Sequence, residues 1–244
     1  MQDRALGAFV GLAVGDALGT TIEFRRRDTY QHVTDMVGGG PFQLRPGEWT
    51  DDTSMALCLA DSLIATSGVF DAVDLAERFL RWWKQGENSV NGRSFDIGNT
   101  TRAALDRYRE TGVPRGDDSP GSAGNGGVMR LAPAVLAAHR DADRAIALSR
   151  AQSEVTHAAP ECLDAAEVLG RMLIAGVAGA GLDAVHAGAS HAFATRKYTP
   201  SRTALGAGSR ETTSNRPGTL STRGKPRSGP SEAQDHSRRP CSPP

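Results

Sequence analysis

The residues Trp49-Thr50-Asp51-Asp52-Thr53-Ser54 set a hydroxyl and two adjacent carboxylates directly before a run of helical apolar periodicity. As local structure, this is a helix N-cap with acidic residues favoured by the helix dipole. One capping oxygen suffices for that purpose, however, and neighbouring carboxylates repel each other unless a cation lies between them. As chemistry, the block supplies hard oxygen ligands suited to Mg²⁺, Mn²⁺ or Ca²⁺ rather than Zn²⁺. Spacing alone leaves both readings open.

Other polar islands sit at similar junctions. Glu23, in Thr21-Ile22-Glu23-Phe24, is flanked by apolar groups that can raise its pKa for acid–base work, or it is an exposed acid paired with Arg25 to Arg27. Asp96 precedes a helical pattern that starts near Thr100, where a plain cap would also fit. The segment from Gly121 to Arg130 is glycine-rich and puts backbone amides at a helix start, where a diphosphate can sit. His157 lies just before Pro160, a first-turn proline.

The elements that must position these groups are helices. Leu6, Phe9, Val10, Ala13, Val14, Ala17 and Leu18 form one helical face, and Gly7, Gly11, Gly15 and Gly19 recur on a second. Glycine costs about 1 kcal/mol relative to alanine in a helix. Close packing against another helix accounts for Gly7 and Gly11; for Gly15 and Gly19, close approach of a ligand near Asp16 competes with it. Further helices are expected from about Asp52 to Thr66, after Asp71, from near Thr100, over Leu131–His139, Ala142–Ser153 and Pro160–Val177, and over Leu182–Ala194. No period-2 strand is evident, so the fold class is all-α.

The 244 residues hold 28 basic and 28 acidic groups, which removes the electrostatic signature of a non-specific nucleic-acid binder. No nucleic-acid partner is expected. Cys58, Cys162 and Cys241 cannot form a disulfide framework and suggest a reducing compartment. No apolar run reaches the roughly 18 residues that cross a bilayer, so a cytoplasmic protein without a membrane partner is expected. From Tyr198 onward there are eight basic and three acidic residues, seven of the 13 prolines and almost no large apolar side chains. Such a segment cannot bury enough surface to offset its ordering entropy. The expected organisation is a helical domain over 1–197 and a disordered basic tail over 198–244.

Taken in order, Gly11-Leu-Ala-Val-Gly-Asp-Ala-Leu-Gly19, Ile22-Glu23-Phe24, Trp49-Thr-Asp-Asp-Thr53, Asp96-Ile-Gly-Asn-Thr100, Asn125-Gly-Gly-Val-Met-Arg130 and Thr156-His157 resemble the ADP-ribosylglycohydrolase family, including its dinitrogenase reductase-activating members. The resemblance implies a compact all-α domain, two Mg²⁺ or Mn²⁺ ions, and removal of ADP-ribose from a protein side chain or a related small conjugate. Carried over by position, it makes Thr50, Asp51 and Asp52 metal ligands and Glu23 and Asp96 catalytic acids. It gives Asn125, Gly126, Gly127, Val128, Met129 and His157 to the ADP-ribose site. Such chemistry builds positive charge at the anomeric carbon; two metals about 3.5–4 Å apart orient the ribose and lower the pKa of a water.

The sequence departs from the pattern after His157, where no Gly-Asp-x-Asp-Thr-type motif follows. The expectation is therefore a member lacking its C-terminal third, with an incomplete metal site and apolar surface left open by a lost packing partner. An inactive ADP-ribose-binding module and a non-functional fragment are the alternatives.

Overall fold

The computed structural model describes residues 1–190. The expected tail over 198–244, and Cys241 within it, lie outside the described residues. In chain order the helices are α1 (Gln2–Gly19), α2 (Asp51–Ala65), α3 (Ala72–Gln85), α4 (Asn99–Thr111), α5 (Gly126–Met129), α6 (Ala132–Ala137), α7 (Ala142–Glu154), α8 (Pro160–Ala178) and α9 (Leu182–Ala187). Short 3-10 turns follow α1 at Thr20–Ile22 and α9 at Gly188–Ser190. The described residues contain no strand, only isolated bridges pairing Gly39 with Leu44 and Asp117 with His157. The all-α expectation holds.

The helix boundaries follow local chemistry. Asp71 caps α3 by accepting from the N–H groups of Val73 and Asp74, and Asp141 caps α7 by accepting from that of Arg144. Helices α3, α4 and α8 end on Gly86, Gly112 and Gly179, each left-handed, as a helix C-terminus favours. Helix α9 ends sooner than the periodicity suggests, turning into the 3-10 segment after Ala187.

The principal core joins α2, α3, α4, α6 and α7. Met55, Cys58, Leu59, Leu75, Phe79 and Leu105 are fully or almost fully buried in it. Cys58 is a core thiol pushed up to about 12 by burial, and Cys162 is likewise buried and free. On α3 Trp82 is buried, whereas Trp83 is half-buried and carries Lys84 Nζ 3.3 Å above its ring.

Helix α1 behaves differently from its sequence pattern. Ala17 is buried, but Leu6, Val10 and Val14, four residues apart, stand exposed on one line. A Cβ added at Gly7, Gly11, Gly15 or Gly19 meets nothing within 4 Å, so the expected close packing at Gly7 and Gly11 is absent among the described residues. By length and composition the stretch Gln2–Ile22 could cross a membrane, which corrects the expectation that no run is long enough. Its glycines and alanines extend an apolar run that few charges interrupt. Arg4 Nε fastens α1 to the end of α8 by donating to the Val177 carbonyl at 2.9 Å.

Candidate functional site

The cap of α2 comes from another helix. Thr50 holds the N-cap position but makes no side-chain capping bond of its own. Instead, Asp16 near the end of α1 accepts the Thr50 N–H at 3.0 Å on each carboxylate oxygen and the Thr50 hydroxyl at 2.8 Å. It also accepts the Thr53 N–H at 3.0 Å and the Thr53 hydroxyl at 2.7 Å. Capping is thus complete without Asp51 or Asp52. The Thr50 oxygen keeps lone pairs for a further contact.

Two loops bring further acids to this helix end. Glu23 follows the 3-10 turn after α1, and Asp96 precedes α4; both are half-buried. Phe24 and Phe95, their sequence neighbours, both pack on Phe42: ring centroids are 6.2 Å apart for Phe24–Phe42 and 5.2 Å for Phe42–Phe95. The aromatic trio stitches the two acid-bearing loops together. Phe24 (φ 59°) and Asp96 (φ 60°) both hold left-handed backbone, which is costly for a bulky residue such as Phe24 and is kept only where surrounding contacts impose it.

Asp16, Glu23, Asp51, Asp52 and Asp96 therefore share one neighbourhood, and their protonation reflects it. Asp51 is pushed up to about 9 by burial and then by repulsion from Asp52, Asp96 and Asp16. Asp52 rises to about 6 by burial and by repulsion from Asp16 and Glu23. Burial, then repulsion from Glu23 and Asp52, lifts Asp96 to about 7. Glu23 is raised by burial and Asp16, while a hydrogen bond with Asp96 pulls it back. That asymmetry makes Asp96 the proton donor of the Glu23–Asp96 pair.

A carboxyl group whose folded pKa lies above its unfolded value binds its proton more tightly when folded. Its stabilising contribution is complete in acid and fades as pH climbs to the folded pKa. From the usual 3.8, Asp52, Asp96 and Asp51 reach about 6, 7 and 9. The melting temperature of chelator-treated protein is expected to decline steadily between these limits, and a calorimetric pH series checks it. A flat or rising profile would show that the acids do not crowd one another.

The donor chemistry suits a hard divalent cation, since Thr50, Asp51 and Asp52 offer only oxygen. Among the described residues no three His, Cys, Asp or Glu side chains are grouped to hold one ion.

The glycine-rich segment closes the other side. Asn125, Val128 and Met129 line a cavity of about 550 Å³ together with Asp16, Asp52, Gly11 and Gly15 of α1 and Leu169 and Leu173 of α8, a size within the usual range of small-molecule pockets. Here the open glycine face of α1 forms a wall. Gly126 and Gly127 are buried, and their Cβ directions run into the His157 ring and the Ser153 side chain. They let the segment lie against α7 and His157. Gly126→Ala is expected to destabilise the protein by about 1–3 kcal/mol through overpacking, measurable by urea denaturation; an unchanged midpoint would mean that the loop yields freely.

His157 is 3 % exposed. Its Nδ1 lies 2.8 Å from the Thr156 hydroxyl, and its pKa is pulled down to about 3 by burial and by the charge of Arg130. Arg130 is the residue that sequence reasoning missed. It is fully buried, donates from Nε to Gln152 Oε1 at 2.9 Å and from Nη2 to Gln152 O and Thr156 Oγ1 at 2.8 Å each, and lies 4.6 Å from the Phe79 ring centroid. Burial lowers it to about 9, which leaves it cationic at neutral pH, with Asp51 pulling the other way. Its signal was a lone charge inside the apolar run Val128-Met129-Arg130-Leu131-Ala132. Asp16 was visible in the sequence, but its capping of α2 was not.

The ADP-ribosylglycohydrolase family model matches residues 1–233. The chain is 53 % identical over 172 residues to an ADP-ribosylarginine hydrolase, Tri1, of Serratia proteamaculans, which covers 70 % of this chain and 46 % of that protein. It is 42 % identical over 188 residues to the dinitrogen reductase ADP-ribosyl glycohydrolase of Rhodospirillum rubrum, covering 75 % and 61 %. A solved structure described as an ADP-ribosylglycohydrolase-related protein complex superposes with a TM-score of 0.67 at 47 % identity, over 77 % of this chain and 60 % of that one. The chain thus spans about half of the Serratia protein and about three-fifths of the Rhodospirillum one. The matched stretch contains the acid cluster, the glycine segment and His157, and the chain belongs to the ADP-ribosylglycohydrolase family.

Proposed function

We propose that this chain carries the acid-lined half of a divalent-metal-dependent ADP-ribosyl hydrolase site, acting on ADP-ribosylated arginine in a protein or on a related small ADP-ribosyl conjugate. One observation carries the reading. Four carboxylates with raised pKa values gather around Asp16, and two of the five acids, Asp16 and Asp52, share a cavity wall with Asn125, Val128 and Met129. The names of the Serratia and Rhodospirillum relatives supply the substrate class. The buried free thiols Cys58 and Cys162 suit a reducing, cytoplasmic setting.

Thr50, Asp51 and Asp52 would hold Mg²⁺ or Mn²⁺, and a bound ion supplies charge stabilisation, ribose orientation and a lowered water pKa. The protein's own groups do the rest. Asp96, raised to about 7, is protonated in a sizeable share of molecules at neutral pH and can deliver that proton to the departing guanidine nitrogen, while Glu23 beside it accepts one from the attacking water. The carboxylates around them favour the positive charge that builds at the anomeric carbon. Asn125, Val128 and Met129 bind the ADP-ribose portion.

The test is release of ADP-ribose from an ADP-ribosylated arginine substrate in Mg²⁺ or Mn²⁺ and again in chelator. Release that stops in chelator is expected; equal release in both would overturn the metal requirement. A second reading starts from the donor count, since no three His, Cys, Asp or Glu side chains among the described residues are grouped to hold one ion: an inactive module that binds ADP-ribose. Calorimetry would then find saturable binding that ignores metal, without turnover. A Mn²⁺ titration counting two, one or no ions per chain separates the readings further.

A further inference from the structure

Arg130 and His157 are joined by a single hydroxyl. A guanidinium only donates, so the Arg130 Nη2–H points at Thr156 Oγ1, 2.8 Å away. The same oxygen lies 2.8 Å from His157 Nδ1. Thr156 is fully buried, and its hydroxyl has no other hydrogen-bond partner among the described residues. A buried hydroxyl proton left without an acceptor costs about 1–3 kcal/mol, and Nδ1 is the acceptor within reach. The Thr156 proton therefore goes to Nδ1. A neutral ring that accepts at Nδ1 carries its own proton on Nε2.

Nε2 has no hydrogen-bond partner among the described residues. It is also not sealed, since Thr20 Oγ1 is the one fully buried and unpaired side-chain oxygen or nitrogen among the described residues. The Nε2 edge lies against the glycine segment: a Cβ on Gly124 would sit 2.9 Å from it, and one on Gly126 3.0 Å. Gly124 in turn lines a cavity of about 490 Å³ with Asn125, Glu161 and Cys162. A nearly buried imidazole thus presents one unpaired ring nitrogen at the edge of the glycine loop.

We infer that Arg130 and Thr156 are positioning residues that lock His157 in the neutral Nε2–H form, so that it serves the site as a fixed hydrogen-bond donor to an acceptor oxygen of the ligand. The ligand atom it selects is a phosphate or ribose oxygen, and a donor group at that point is rejected. Locked in this way, His157 takes no part in acid–base exchange. Its function as a ligand contact rests on the ADP-ribose reading above, whereas the lock itself does not.

Long-range ¹H–¹⁵N spectra of the full chain, labelled at histidine nitrogen and assigned with His157→Gln, read the tautomer directly. The expected pattern for His157 is protonated Nε2 and bare Nδ1 with no ligand present. Thr156→Val should mix the two tautomers, and Thr156→Ser should restore one. Protonated Nδ1 in the wild type, or a pure Nε2–H pattern in Thr156→Val, would overturn the lock. Should Thr156→Val not fold, the wild-type spectrum and Thr156→Ser still decide. ADP-ribose calorimetry is the second arm, with affinity expected to fall about twofold in Thr156→Val, as the share of rings in the Nε2–H form falls, and to recover in Thr156→Ser. Equal affinity in Thr156→Val would overturn the donor role. A wild type with the expected tautomer but no ADP-ribose binding would remove the ligand reading and leave the lock standing.

Discussion

Asp51→Asn is expected to lower metal-dependent ADP-ribose release by about 10²-fold or more while raising the melting temperature of the metal-free protein. The two effects have one cause. Asp51 is 7 % exposed and crowded by Asp52, Asp96 and Asp16, so the metal-free fold keeps its carboxyl protonated at a pH where the unfolded chain ionises it, which costs stability. An amide of the same shape has no proton to hold and removes that cost; each kcal/mol recovered moves the midpoint by about 2–4 °C in a chain of this size. The loss of rate reflects the several kcal/mol that a metal supplies at a developing charge. Such opposed changes mark a site that trades stability for function. Calorimetry in chelator and a release assay in Mn²⁺ check both on one variant. A lowered melting temperature would mean that Asp51 is a structural carboxylate, and an unchanged rate would detach it from the reaction.

Arg130→Met should act in the opposite sense on stability, at about 3–5 kcal/mol, the usual cost of removing one member of a buried charged network. Methionine fills part of the volume and keeps contact with Phe79, but Gln152 O, Gln152 Oε1 and Thr156 Oγ1 lose their donor together. It also removes the positive charge that pulls on Asp51. The variant's urea midpoint is therefore expected to fall at pH 7. A shift below about 1 kcal/mol would show that solvent replaces the guanidinium without strain. The double variant Asp51→Asn with Arg130→Met should be less destabilised than the sum of the singles, because the two groups interact.

The order of short polar blocks identified the family because each block sits where one helix ends or begins. Such junctions keep their residues for local reasons of capping and turn geometry. The same locality explains why both ends of α2 and α7, and the starts of α3 and α4, were legible to within a residue or two. Burial was less legible. Ile64 and Leu6 lie on helical stripes yet are 77 % and 61 % exposed, because periodicity reports a face and not whether another element covers it.

The sequence by itself determined the all-α class, the helix order and the family, since all of these depend on residue type and near-neighbour spacing. Only the tertiary structure decided which oxygens were spoken for. Asp16 reaches from α1 to cap α2, which frees Asp51 and Asp52; Phe42 gathers the Glu23 and Asp96 loops; Arg130 sits buried between Asp51 and Thr156. These links join positions far apart in the chain. Their energies come from burial and charge, quantities fixed by what surrounds a side chain in space and not by what precedes or follows it.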